Sequence, residues 1–177
     1  MEALGEIRHS HSRQRGQSLV EFALASIVLA LILSGAIEFG IIFGHKVEIN
    51  NAARAGARWA ADNSVTGANN SWSNAASPAS NTIEGQIIDA GGTSSLPNND
   101  SHITITYYDA SGASPVACGH YSQASNSFVA NTGYTKATCV IRSNLVTVTV
   151  TNSYPLFTNL FAVAPTLVSS ATFEVMN

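Results

Sequence analysis

The sequence predicts an α+β chain: one long N-terminal α-helix followed by a small antiparallel β-sheet domain. Three observations predict it. The stretch from Arg13 to Phe43 holds no charged residue between Phe22 and Ile37, and it is long enough to cross a hydrocarbon core as a helix. No proline falls between Gly16 and Asp62, so the helix is expected to run on past the apolar part. Beyond that point the period changes. Ile103, Ile105 and Tyr107 alternate with Thr104, Thr106 and Tyr108, and LVTVTVT (145–151) alternates in the same way, which is the pattern of half-buried strands.

Residues 1–15 are polar, with Arg8, Arg13 and Arg15 and the pair His9/His11, and read as a solvated tail. An ordinary cleavable secretory signal has its apolar core before the cleavage site. Here the plausible processing point, Gly16, precedes the apolar run. Residues 17–44 are expected to form the membrane half of the helix and residues 45–62 its emergent half. Gly40 and Gly44 form a GxxxG spacing, and Ala52, Gly56 and Ala60 continue small residues at every fourth position. Such ridges let another helix approach closely; the bland alternative is that small residues are common in Ala-rich helices. Arg54 and Arg58 share one face, read as solvated, and Asp62, Asn63, Ser64 and Gly67 supply the stop.

The rest, 63–177, is expected to be a β-rich domain. Residues 63–81 read as a Ser/Asn/Ala/Pro-rich connector too polar to form a core element. Asn81 or Thr82 is placed to cap a short helix from Ile83 to Ala90, with Ile83, Ile87 and Ile88 on one face and Gly91-Gly92 ending it. A strand over 102–108 follows, then turn chemistry through 109–136. Residues 137–151 predict a hairpin about Ser143-Asn144, pairing Arg142 with Leu145, Ile141 with Val146 and Cys139 with Val148. Pro155 and Pro165 break 152–166 into a loop or single turn, and a last strand is expected from Leu167 to Met176. Three to five strands result.

Composition excludes several functions. Charged residues make up 11% of the 177 residues, the formal net charge is −3, and no Lys/Arg cluster of nucleic-acid-binding kind lies beyond the N-terminal third. No nucleic-acid partner is expected. Cys118 and Cys139 form no CxxC pair and have no His/Cys cluster around them, which argues against zinc. A single Cys118–Cys139 disulfide in an oxidising compartment is the expected arrangement, with free structural thiols as the alternative. No GxSxG elbow, P-loop, HExxH or dinucleotide-binding glycine motif occurs, and the carboxylates of the polar half are scattered. Neither an enzyme nor a cofactor is expected.

The unusual residue is Glu21. A carboxylate in a membrane segment costs about 2.5–3.5 kcal/mol at the helix centre, so an intramembrane acid is a functional candidate by default. RGQSLVEFAL (15–24) resembles the class III signal of type IV pilin-like precursors, with a basic leader, Gly16, then Glu21 as the fifth residue after it and the aromatic Phe22. The longer run resembles the TadE-like family of tight-adherence (Tad) pilus systems through VEFAL (20–24), IEFG (37–40) and NAARAGAR (51–58). VTVTV with Tyr154-Pro155 and the closing SSATFEV are similar to it less specifically.

This resemblance implies a pilin-like architecture and a pseudopilin or minor pilin. Residues 1–16 would be a leader removed by prepilin peptidase between Gly16 and Gln17. Glu21 would then pair with the N-terminal amine of a neighbouring subunit and set axial register. The implied partners are the peptidase, other pilin or pseudopilin subunits and the inner-membrane assembly platform. The implied location is the bacterial inner membrane, single-pass, with the N-terminus cytoplasmic and the C-terminal domain periplasmic. Three leader arginines against Lys46, Arg54 and Arg58 leave the positive-inside count nearly balanced, so orientation rests on the leader, the cysteines and the likeness. Glu38 matches the family motif near the outer end of the apolar run, without a mechanism. The reading from a different class is an uncleaved single-pass anchor presenting a periplasmic binding or scaffold module.

Overall fold

A computed structural model describes residues 10–63, 72–92, 96–154 and 164–176, with side chains described from Gly16 onward. The fold is α+β, as predicted: a long N-terminal apolar helix, then a five-stranded antiparallel sheet. The chain divides into two compact units, Met1–Ile41 and Ile42–Asn177.

Helix α1 spans Ser10–Asn63. Within the first unit its apolar side chains face outward: Leu19, Val20, Phe22, Leu24, Ile27 and Leu33 are all more than half exposed. The hydroxyls in this stretch are satisfied locally, Ser26 donating to the Ala23 carbonyl (2.8 Å) and Ser34 to that of Leu31 (3.0 Å). Back-bonding of this kind lets serine sit in an apolar helix without an orphaned polar group.

In the second unit α1 turns one face inward. Ile49, Ala52, Ala53, Gly56, Ala57, Ala60 and Ala61 recur at three- and four-residue spacing and are all buried, while Asn51, Arg54 and Arg58 stay exposed. The small-residue ridge at 52, 56 and 60 therefore packs inside its own unit rather than awaiting another long helix. A Cβ on Gly56 would lie 2.3 Å from Ile87 Cγ1 and 3.5 Å from Val148 Cγ1. Polar contacts fix this face along its length. Lys46 Nζ donates to the Val168 carbonyl, the Ser169 hydroxyl to Asn50 Oδ1, and the Met176 amide to the Ala61 carbonyl (3.0 Å). His45 stacks on Tyr154 with ring centroids 3.9 Å apart.

Helix α2, Ile83–Ala90, has the predicted bounds. Thr82 in extended conformation accepts the Gly85 amide hydrogen on its side chain (3.0 Å), the N-cap bond that satisfies one of the orphaned donors. Ile83 and Ile87 are buried and Ile88 packs partly against the core.

The strands are β1 (Ile103–Asp109), β2 (Val116–Ser122), β3 (Ser127–Ala130), β4 (Leu145–Ser153) and β5 (Thr166–Glu174), in spatial order β3-β2-β1-β4-β5. Ile103, Ile105 and Tyr107 face Val150, Val148 and Val146 across the β1–β4 ladder, and these six side chains form the centre of the core. Ser169, Ala171 and Phe173 of β5 follow in register beside Val150, Val148 and Val146, on the side the alternation predicted.

Two expectations fail here. Residues 137–142 are not the first arm of a hairpin. Lys136–Cys139 form a single helical turn, α3, opened by a capping box in which Thr135 and Thr138 exchange side-chain and backbone bonds. Ser143 takes φ +70°, and the buried Asn144 side chain ties the turn together, donating to the Cys139 carbonyl (2.8 Å) and accepting from the Ala110 amide (3.1 Å). The proposed partners Arg142, Ile141 and Cys139 are thus replaced by β1 and β5 on the two edges of β4. Alternation says that a strand forms, not which strand it pairs with. The second failure is that 109–136, read as turns, contains β2 and β3. Gly119 and His120 break the alternation of β2. A Cβ on Gly119 would come within 2.3 Å of the Phe128 ring, so only glycine lets β3 lie this close. The loop expected over 152–166 lies largely outside the described residues, as does the connector over 64–71.

Candidate functional site

Two regions carry functional candidates. The first is the N-terminal part of α1. Gly16, Gln17, Glu21 and Phe22 are all exposed, and Phe22 is 72% exposed. Gln17 and Glu21 stand one helical turn apart, and the Gln17 side-chain amide donates to Glu21 Oε1 at 3.2 Å. Glu21 is the one charged residue from Gly16 through Ile37, set in a surface of exposed Leu, Val, Ile and Phe. Such a surface on a helix long and apolar enough to cross a membrane suggests membrane anchoring. Gly40 and Gly44 are exposed, and a Cβ on either would meet nothing within 4 Å among the described residues. Glu38 differs from its neighbours: it is 5% exposed, between Ile37 at 60% and Phe39 at 70%.

The second region is an aromatic cluster on the sheet, which the sequence reading missed. Trp72 stacks on Tyr121 (centroids 5.2 Å apart) and Phe128 (5.8 Å), and meets Tyr107 edge-on (6.2 Å). Lys136 Nζ sits 4.5 Å above the Trp72 ring, a cation–π distance. Trp72 belongs to the stretch expected to be too polar for the core. One large aromatic in a Ser/Asn-rich context was the signal available. Below it, Glu84 of α2 is fully buried; its Oε2 accepts the Ser73 amide hydrogen at 2.8 Å. Burial pushes the Glu84 carboxyl up to about 7, against the opposing pull of its own and the Ser73 amides. Tyr121 is pushed up as well, by burial first and then by the charges of Glu84 and Asp100.

Cys118 on β2 and Cys139 at the end of α3 are joined by a disulfide, Cα atoms 5.6 Å apart and both side chains buried. Asp109 accepts from the Ser111 amide (2.9 Å) and the Tyr134 hydroxyl (3.1 Å), which hold its carboxyl below the usual range and make it a turn residue. Among the described residues no group of three or more His, Cys, Asp or Glu is placed to hold a metal.

A single apolar N-terminal helix ahead of a helix-backed antiparallel sheet defines an α+β protein whose helix suggests membrane anchoring. Residues 16–58 match the family model described as TadE-like protein, and the likeness read from VEFAL, IEFG and NAARAGAR is thereby shown over that segment. No curated protein and no solved structure matches the chain.

Proposed function

We propose that the chain is a TadE-like pseudopilin, or minor pilin, that is cut by prepilin peptidase between Gly16 and Gln17 and acts in assembly of a Tad-type pilus used for surface adherence. The observation that carries this is the position of Glu21: a lone carboxylate on the exposed apolar face, five residues after Gly16, with the Gln17 side chain already within its reach. Cleavage makes the Gln17 nitrogen a free amine. A carboxylate in lipid is stabilised when a neighbouring helix brings the opposite charge, and a specific amine–carboxylate pair sets the stagger between subunits. Phe22 and its apolar neighbours supply the lipid- and helix-facing surface, and the open Gly40–Gly44 ridge supplies a close-packing site for a neighbouring helix. In this reading residues 17–44 lie in the inner membrane, the N-terminus is cytoplasmic and the disulfide-containing sheet is periplasmic.

Intact mass and N-terminal sequencing of the protein from its native membrane test the reading. A mature chain beginning at Gln17 supports it. A retained Met1 end, or a cut elsewhere, overturns it and leaves an uncleaved anchor presenting a periplasmic module.

A further inference from the structure

Arg142 has no part in the pseudopilin reading. It opens the turn Arg142-Ser143-Asn144 between α3 and β4, at the end of the second unit where α1 finishes. The backbone of this turn is fixed. Ser143, at φ +70°, donates its amide to the Val175 carbonyl (3.1 Å), the Asn144 carbonyl accepts from the Val175 amide (2.8 Å), and the Asn144 side chain ties to Cys139 and Ala110. A non-glycine residue keeps a positive φ when its surroundings over-determine it. The guanidinium above is less committed. Its Nε donates to the Met176 carbonyl (3.1 Å), and Arg142 forms no ion pair among the described residues. Arg142 is also the wall shared by two clefts, of about 380 and 430 Å³. Asp109 and the exposed Ile141 line the first; Glu174 and Phe173, 37% exposed, line the second.

We propose that the two clefts form one binding site for an extended peptide segment carrying an acidic side chain between two basic ones, the acid on Arg142 and the bases at Asp109 and Glu174. Charge alternates across this surface: negative at Asp109, positive at Arg142, negative at Glu174. A guanidinium with unspent N–H donors takes a carboxylate through two parallel hydrogen bonds. The flanking carboxylates disfavour a bare anion there and favour a ligand that brings a cation to each side, because like charges face to face are costly. Asp109 stays charged at neutral pH, since the Ser111 amide and the Tyr134 hydroxyl hold its carboxyl below the usual range, and its oxygens keep lone pairs free for a further donor. Ile141 and Phe173 supply apolar walls for the stems of the two basic side chains. Each cleft falls within the range of about 300–1,000 Å³ common to ligand sites. Because the turn is already fixed, little of the binding energy goes into ordering it. None of these residues enters the pseudopilin reading, so the site stands or falls apart from it.

Chemical-shift titration of the isotope-labelled full chain in detergent micelles tests the site. The probes are the end-blocked peptide Ala-Lys-Glu-Lys-Ala, its charge-inverted counterpart Ala-Glu-Lys-Glu-Ala, and an all-alanine peptide of the same length. The first is expected to shift the amides of Ser111, Ile141, Arg142 and Glu174 and to saturate below about 10 mM. Arg142→Gln is expected to weaken it about tenfold. Asp109→Asn and Glu174→Gln, which each remove one exposed charge, are expected to weaken it about threefold. No saturation by about 10 mM, or equal binding of the neutral or charge-inverted peptide, overturns the proposal. Unchanged binding in Arg142→Gln, with the β1 and β4 amides at their original shifts, overturns it as well.

Discussion

Cys118 and Cys139 bridge the second strand and the short helix α3 across 21 residues of sequence, with Cα atoms 5.6 Å apart and no exposure to solvent. Between them run β3 and the Thr135 capping box, so the bridge closes the segment that carries the edge of the sheet. Closing a loop of this size stabilises a fold by roughly 3 kcal/mol in the chain-entropy model. The double variant Cys118→Ala/Cys139→Ala is expected to lose about that much in denaturant unfolding. A change under about 1 kcal/mol shows that the segment is held by its own packing.

Gly85 and Gly40 make opposite predictions. A Cβ on Gly85 would lie 2.0 Å from the Ala79 carbonyl oxygen, a backbone atom that cannot swing aside. Gly85→Ala is expected to destabilise the domain by about 2 kcal/mol or more in thermal or denaturant melts. A Cβ on Gly40 meets nothing within 4 Å among the described residues, so Gly40→Ala is expected to leave the fold intact and to strengthen the helix by up to about 1 kcal/mol. Impaired assembly with normal folding in Gly40→Ala would identify the Gly40–Gly44 ridge as a contact between subunits; normal assembly removes that role.

The raised carboxyl of Glu84 also fixes the sign of a pH effect on stability. The folded value, about 7, lies above the ordinary 4.5, so the protonated acid is favoured in the folded state. Its contribution is complete below about pH 4.5 and is lost as pH rises toward and through about 7. The upper bound on that loss is on the order of 3 kcal/mol, and relaxation of the site lowers it. Unfolding free energy measured across this range is expected to fall with pH in the unaltered chain and to lose that component in Glu84→Gln. An unchanged slope in the variant shows that Glu84 does not carry the dependence.

Gly16→Ala is expected to leave the chain full-length, visible as a slower-migrating, heavier product; efficient maturation counts against peptidase processing. Glu21→Ala removes a charge from an apolar surface near the start of the span, so membrane insertion is expected to be spared while pilus assembly fails. Normal filaments in that variant remove the register role.

Much of the fold was legible in the sequence wherever a periodic pattern did the work locally. The unbroken apolar run, the Thr82-capped helix with Ile83 and Ile87 inward, and the alternation of β1, β4 and β5 each follow from spacing alone. The proposed roles of Gly16, Glu21 and Phe22 rest on a count along the chain, which the sequence carries by itself. Tertiary structure decided what pairs with what. The hairpin at Ser143-Asn144 gave way because Val146, Val148 and Val150 found Ile103, Ile105 and Tyr107 some 40 residues away, a long-range match that local alternation does not encode. The small residues at 52, 56 and 60 were spaced to admit a close neighbour, and only the packed structure shows that Ile87 and Val148 take that place at Gly56. Trp72 and Glu84 are the clearest case: one stood in a polar stretch and the other on a short helix, and only the fold seats Trp72 on Tyr121 and Phe128 and buries Glu84 against the Ser73 amide.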